Sequence, residues 1–388
     1  MKIGIISVIH EPWGGSEELW ASMAEIALQQ GHEVLYCTLR FPQQATKVKA
    51  LQAKGLKLVY RKGYVPKQEA SWKRQLKKAG LLLQSQWRNP FQSLMDAKPD
   101  LVIYNGTTFS AIEHPEIFDW WKTTTATKII LSHFLPEHNA VLHPHRRNQL
   151  ADFFQQAAHC FFVSERSKQN TQKALAVSLH NSSIIRNPVN MPDISALPFP
   201  PFQKGVVQLA MVGNLLVMHK GQDTMLQTLA QPTWKQLPWH LNVYGQGMDQ
   251  PYLEQLAAMY GIAEKISFHG RVADIRQLWS QNHLLLMPSV MEGMPLAVVE
   301  AMLCGRPVLA TDVGGHTEWI NDNVDGFIAA APSVYCLSDA LQRAWQRQHE
   351  WARIGQMAHE KATHLYDPHP GQTLLTQLEK IVAARQSK

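Results

Sequence analysis

The strongest constraint in this sequence is a rhythm that runs, stops once and starts again. Short apolar runs of strand length alternate with stretches of helical spacing and with glycine or polar turns. Neighbouring parallel strands need long crossovers, usually helices, so this alternation specifies parallel α/β sheets. In the first half, strands are expected at residues 2–8, 32–39, 101–104, 128–132, 159–164 and 183–186, with a helix over 16–30 closed by Gly31. Between residues 187 and 204 the rhythm breaks. Pro188, Pro192, Pro198, Pro200 and Pro201 fall there, and such a stretch sustains neither a helix nor a central strand. The pattern then resumes, with strands expected at 206–212, 241–244, 266–268, 284–287 and 307–310 and a helix beginning near Gly221. The economical architecture is two parallel-sheet domains, residues 1–190 and 205–370, joined by a proline-rich linker over 191–204. An amphipathic helix over 371–388 is expected to pack back on the N-terminal domain.

The chain has 388 residues, 45% of them hydrophobic and 18% charged, enough to bury two cores and too apolar for wholesale disorder. Cys37, Cys160, Cys304 and Cys336 show no paired spacing, which argues against a zinc site or a disulfide framework and for reduced thiols. The apolar start lacks a cleavage site and reads as a buried strand rather than a signal peptide. No apolar run is long enough to span a bilayer. The expectation is a soluble protein made and used in the cytoplasm. The formal net charge of +6 selects no partner alone. Part of it is concentrated between Arg61 and Arg88, where eight basic residues face only Glu69, and Trp72, Leu76, Ala79, Leu83 and Trp87 interleave at roughly helical spacing. This segment reads either as a solvated basic helix on its own domain or as peripheral contact with an anionic membrane. No nucleic-acid motif accompanies it.

In open α/β sheets ligands bind outside the carboxyl ends of strands, so functional residues should follow strands. Pro288-Ser289-Val290-Met291-Glu292-Gly293-Met294-Pro295 follows the expected strand 284–287 and opens a helix over 296–303. A helix N-terminus offers unpaired N–H groups and a positive dipole end, suited to a diphosphate. Glu292 sits in the turn just before the helix and Glu300 two turns later, two carboxylates able to accept from the hydroxyls of a sugar and of a second polyol such as ribose. Glutamates at this spacing are common. The strand, the Gly-x-Pro turn and the helix in register are what give the pair its weight.

Together with Gly305-Arg306-Pro307-Val308, Asp312-Val313-Gly314-Gly315, Glu318, Asp325-Gly326-Phe327 and Gly14-Gly15-Ser16-Glu17, this segment resembles the nucleotide-sugar motif of the family 4 retaining glycosyltransferases. The resemblance covers almost the whole chain, most strongly residues 205–330. It implies the GT-B architecture, two Rossmann-like domains facing each other across a cleft. It also implies a metal-independent enzyme moving a hexose-type sugar from a UDP-, GDP- or ADP-sugar to a saccharide or lipid-linked acceptor. By the resemblance, Glu292 contacts hydroxyls of the transferred sugar and Glu300 the ribose. The backbone of Gly293, Met294, Pro295 and Leu296 approaches the sugar and phosphates. Lys220 neutralises the diphosphate, Gly14 and Gly15 let the first loop approach it, and His133 lies near the anomeric carbon. Arg271 falls where the family contacts the base. One position departs: Asn214 stands where the family places an arginine, so neutralisation rests on Lys220, with Arg271 as the candidate helper.

No Asp-x-Asp pair follows a strand, in keeping with the expectation of no metal and no cofactor beyond the donor itself. Two other classes compete. A nicotinamide-dependent dehydrogenase shares these folding units, but Gly14-Gly15-Ser16 is not the spaced three-glycine turn, and the second strand runs into Arg40 without an acidic residue for a ribose. A degenerate module that binds sugar nucleotides or glycans without turnover draws its support from Asn214.

Overall fold

The computed structural model describes residues 1–61, 89–135, 137 and 141–386. They form two compact units, Met1–Pro188 with Asp367–Lys388, and Val189–Tyr366.

The first unit is built on a parallel sheet of β1 (Lys2–Ser7), β2 (Glu33–Thr38), β3 (Lys57–Tyr60), β4 (Leu101–Gly106), β5 (Thr127–Ser132), β6 (His159–Phe162) and β7 (Ser182–Ile184). The spatial order is β3-β2-β1-β4-β5-β6-β7, so the direction of winding reverses between β1 and β4. Both faces of the sheet are covered, which is why its central strands read as nearly continuous apolar runs. Ile3, Ile5, Tyr36 and Ile103 pack on one side with Leu19, Trp20 and Met23 of the helix Glu18–Gln29. Ile6, Leu35, Val102 and Ile130 pack on the other with Trp121, Phe153 and Phe154. The helix Pro370–Gln386 belongs to this unit, its Leu374, Leu375 and Leu378 buried in the first of these layers. Close approach at its start requires Gly371, since a Cβ there would stand 2.4 Å from the Ser22 hydroxyl and 2.6 Å from the Ser22 backbone.

The second unit has β8 (Val207–Val212), β9 (Trp239–Tyr244), β10 (Ile266–Gly270), β11 (Leu284–Met287), β12 (Val308–Thr311) and β13 (Phe327–Ala329) in the order β10-β9-β8-β11-β12-β13, with its reversal between β8 and β11. The proline-rich stretch packs along this unit. The Leu197 amide donates to the Cys304 carbonyl (3.2 Å), and Phe202 stacks on His283 with ring centres 4.4 Å apart. Arg306, fully buried, donates to the carbonyls of Leu197 (3.2 Å), Pro198 (2.7 Å), Trp279 (2.8 Å) and Cys304 (3.0 Å). Prolines cannot donate, but their carbonyls accept well, so one arginine can pin an irregular segment that no strand could pair.

The expected strands are present, each within a few residues of its expected bounds. The short strands β3 and β13, both at sheet edges, were not expected. Of the basic segment 61–88, all but Arg61 lies outside the described residues. Arg61 itself is buried just past β3, its Nε donating to the Ser7 carbonyl at 3.1 Å. It is therefore neither solvated nor part of a membrane-facing helix. Among the described residues no helix is long and apolar enough to cross a membrane.

Candidate functional site

In the second unit, the loops after β8 and β11 leave the sheet on either side of its reversal point, where α/β sheets bind ligands. The loop after β8 carries Asn214 and Lys220; the loop after β11 carries Glu292, Gly293, Met294 and Pro295. The loops are tied together. The amides of Val290 and Met291 both donate to the His219 carbonyl (2.9 and 3.1 Å). Gly221 takes φ +61°, and a Cβ on it would sit 2.2 Å from the Pro288 carbonyl oxygen, so the contact demands glycine.

Lys220 Nζ bonds Glu292 Oε1, and the Ser289 hydroxyl donates to the same oxygen at 2.9 Å. The Glu292 side chain is 9% exposed. Burial raises its pKa, but Lys220, His316 and the two hydrogen bonds outweigh burial and leave it below the ordinary value, so the carboxylate is ionised at neutral pH. From the far side, the Gly315 amide donates to the Gly293 carbonyl (2.9 Å), and Gly314, at φ +52°, lies where a Cβ would meet the Glu292 carbonyl oxygen at 2.2 Å. The helix Leu296–Leu303 then starts from Pro295 with no side-chain cap.

Glu300 is 8% exposed on that helix. Burial pushes its carboxyl up to about 7, and the Asn190 backbone amide draws it partly back. Asn214 is exposed and serves the site through its carbonyl, which accepts from the Gln222 side chain at 2.9 Å. Arg271 is exposed past the end of β10. Sequence reasoning missed His316. It is fully buried, its Nδ1 is 2.6 Å from the Thr311 carbonyl, and Nε2 is without a partner among the described residues. Burial depresses its pKa although Glu292, within electrostatic reach, pulls the other way, so the imidazole is neutral at physiological pH. Its position directly after Gly314-Gly315 was the available signal.

The remaining expected residues, Gly14, Gly15 and His133, belong to the first unit. They follow β1 and β5, the strands on either side of β4. Among the described residues, a Cβ on Gly15 would meet nothing within 4 Å and one on Gly14 only the Ser16 hydroxyl at 3.8 Å, so internal packing gives no reason for either glycine. His133 is 6% exposed. Its Nε2 lies 2.6 Å from Asn105 Oδ1, and its Nδ1 has no partner among the described residues. Burial pushes this imidazole down to about 4, so it is neutral at physiological pH. Asn105 Nδ2 in turn donates to Glu17 Oε1 at 2.7 Å. Glu17 also accepts from Trp20 Nε1 (2.7 Å), the Tyr36 hydroxyl (3.1 Å) and the Ser7 hydroxyl (3.2 Å). Burial lifts its pKa to about 7 against the pull of these donors. From sequence, Glu17 stands within Gly14-Gly15-Ser16-Glu17 without a role of its own, and Asn105 is not singled out.

Known proteins fit this picture. Residues 207–347 match the family described as glycosyl transferases group 1. The Escherichia coli lipopolysaccharide glucosyltransferase WaaG is 31% identical over 127 residues, 32% of this chain and 34% of that protein. One component of the human phosphatidylinositol N-acetylglucosaminyltransferase is 27% identical over 245 residues, 63% of this chain and 49% of that protein. The matched segments thus span about half or less of these relatives' length. The Anabaena protein HepE, solved in complex with UDP and glucose, superimposes with a TM-score of 0.69 at 20% identity, covering 99% of this chain and all of that one. The two Rossmann-like units are those of the GT-B fold, and the second of them carries the segment similar to the glycosyl transferases group 1.

Proposed function

We propose that the chain is a metal-independent, retaining glycosyltransferase that moves a hexose-type sugar from a nucleoside-diphosphate sugar to a saccharide or lipid-linked acceptor. The observation that carries this reading is the Lys220–Glu292 pair, held at the reversal point of the second sheet beside an uncapped helix start. It is supported by the family match over the same residues and by HepE, whose structure holds UDP and glucose. The two relatives, one named for phosphatidylinositol and one for lipopolysaccharide, motivate the acceptor class.

In this mechanism the protein's main task is to stabilise charge on the departing diphosphate while the sugar becomes oxocarbenium-like. Lys220 and the amides opening the helix Leu296–Leu303 meet that charge. Ionised Glu292 accepts from sugar hydroxyls and, before the donor arrives, holds Lys220 in place. Glu300 accepts from the ribose. The bond from the anomeric carbon to the diphosphate oxygen breaks, and the acceptor oxygen bonds that carbon on the same face. The acceptor's proton passes to the leaving phosphate oxygen. Asn214 makes Lys220 the principal cation of the phosphate site.

The test is a thermal-shift panel of UDP, GDP, ADP and their sugar conjugates, alongside NAD, with and without a chelator. Ligands that bind only the native state raise its apparent stability. A chelator-insensitive shift with one nucleotide family is expected and names the base; a shift with NAD alone, or with none of them, overturns the reading. Donor hydrolysis without acceptor separates an enzyme from a binding module.

A further inference from the structure

The buried chain from Glu17 through Asn105 to His133 has a direction. In its ionised form, which prevails above its pKa of about 7, Glu17 can only accept, so its Oε1 requires the NH2 side of the Asn105 amide at 2.7 Å. That turns Asn105 Oδ1 toward His133 Nε2 at 2.6 Å, and a carbonyl oxygen requires a proton on that nitrogen. The other ring nitrogen, Nδ1, is then a bare lone pair, and it is the atom without a partner among the described residues. Glu17 is itself over-determined: β1 supplies Ser7, the helix after it Trp20, β2 Tyr36 and β4 Asn105. Tyr36 is the one titratable group among these four, and burial with the neighbouring Glu17 raises its pKa, so it stays a hydroxyl donor. A buried carboxylate is costly unless its bonds are used. A purely structural role would not need an asparagine placed between it and a histidine.

We propose that Glu17, acting through the side-chain amide of Asn105, is a positioning residue that fixes His133 as the Nε2–H imidazole with its lone pair on Nδ1, the form that accepts a hydrogen bond from a nucleotide-sugar hydroxyl. The inference rests on the transferase reading for the identity of that hydroxyl, but the tautomer is independent of it. Glu17 thereby acts at a distance from the sugar, in the way that buried carboxylates and amides orient histidines elsewhere. Replacing either link frees the ring to carry its proton on Nδ1, where it would repel rather than hold a hydroxyl that should donate to it.

Histidine ring 15N NMR of the whole protein, with a His133→Gln spectrum to identify the signals, reads the tautomer directly. The wild type is expected to show Nε2 protonated and Nδ1 bare at pH ~8.5, where Glu17 is ionised, whereas Asn105→Ala and Glu17→Gln shift proton occupancy to Nδ1. With UDP-sugars the same variants are expected to lose about tenfold or more in kcat of donor turnover while KM changes little. A wild-type ring protonated on Nδ1, or on both nitrogens, overturns the proposal without any variant having to fold. So does a folded Asn105→Ala protein that keeps the wild-type tautomer. The expected tautomer shift in a chain that turns over no nucleotide sugar upholds the positioning and defeats the transferase reading instead.

Discussion

The ammonium of Lys220 bonds the carboxylate of Glu292 across loops that leave β8 and β11, strands paired side by side in the sheet. The pair makes each residue's state depend on the other. In the wild type the folded pKa of Glu292 lies below the ordinary value of 4.5, so its contribution to stability is present above that value and is lost as pH falls through the folded pKa. Lys220→Met leaves burial unopposed by its principal counter-charge. The folded pKa then rises, and the carboxylate's contribution is lost as pH increases. Melting temperatures of wild type and variant should therefore diverge from about pH 4 to about pH 8. A constant difference across that range would show that the pair does not govern Glu292. Turnover of the variant is expected to fall at least ~100-fold, as for other lost charge-stabilising groups.

Glu300 should give the opposite signs for stability and binding. Its folded pKa, raised to about 7, means that its favourable contribution is complete below the unfolded value of 4.5 and is lost as pH rises through about 7. Glu300→Gln removes that loss and is expected to gain about 1–3 kcal/mol at pH ~8 and almost nothing at pH ~5. The same change should weaken the preferred nucleotide about tenfold, because an amide is a poorer acceptor for ribose hydroxyls than a carboxylate. Calorimetric titration and thermal melts on one preparation read both. A variant that is stabilised with undiminished affinity would remove Glu300 from the ribose role.

The glycines divide into two kinds, and alanine should separate them. Gly314→Ala places a side chain on a φ of +52° and against the Glu292 carbonyl, and is expected to cost about 1–3 kcal/mol in chemical denaturation. Gly15→Ala meets nothing among the described residues, so its melting temperature should match the wild type. Loss of donor turnover at unchanged stability would then report a ligand filling the space. Full turnover would make Gly15 an ordinary loop residue.

Among the described residues Arg306 hydrogen-bonds only carbonyls, with no opposing carboxylate. Burial lowers its pKa to about 10, still far above neutrality. Arg306→Met keeps much of the volume but orphans several buried acceptors, for an expected cost of about 3–5 kcal/mol in urea denaturation. A cost under ~1 kcal/mol would mean that water replaces the guanidinium and that the proline stretch is held by Phe199 and Phe202 instead.

Much of this molecule is legible in its sequence because the signals are local. Strands buried on both faces are nearly continuous apolar runs, and Leu284–Met287 followed by a Gly-x-Pro turn and the helix Leu296–Leu303 has the bounds its sequence predicts. β3 and β13 escape for the complementary reason: Lys57-Leu58-Val59-Tyr60 and Phe327-Ile328-Ala329 are short edge strands whose order comes from one neighbour each, β2 and β12. The proline stretch is neither helix nor strand, as its composition predicts. Its attachment to the second unit is hidden because Arg306 lies about a hundred residues away in sequence. Glu17 and Asn105 are hidden likewise: they are 88 positions apart and meet only because β1 and β4 are neighbours. Side-chain types with a known chemistry at strand ends can be read from sequence, whereas polar chains closed by topology cannot.

The split composition of the first unit also sets an order of events during synthesis. Its sheet and the helix Glu18–Gln29 are made before the whole of Val189–Tyr366, and Pro370–Gln386 is made only after it. At about 5–20 residues per second, the second unit occupies the ribosome for on the order of ten seconds or more. Throughout that time Leu19 and Met23 wait without Leu374, Leu375 and Leu378, the partners with which they share a core. The helix Pro370–Gln386 is in effect a completion seal for the first unit. A nascent chain that stalls before it bears an uncovered greasy strip on its first unit, the kind of surface that chaperones hold and proteases clear.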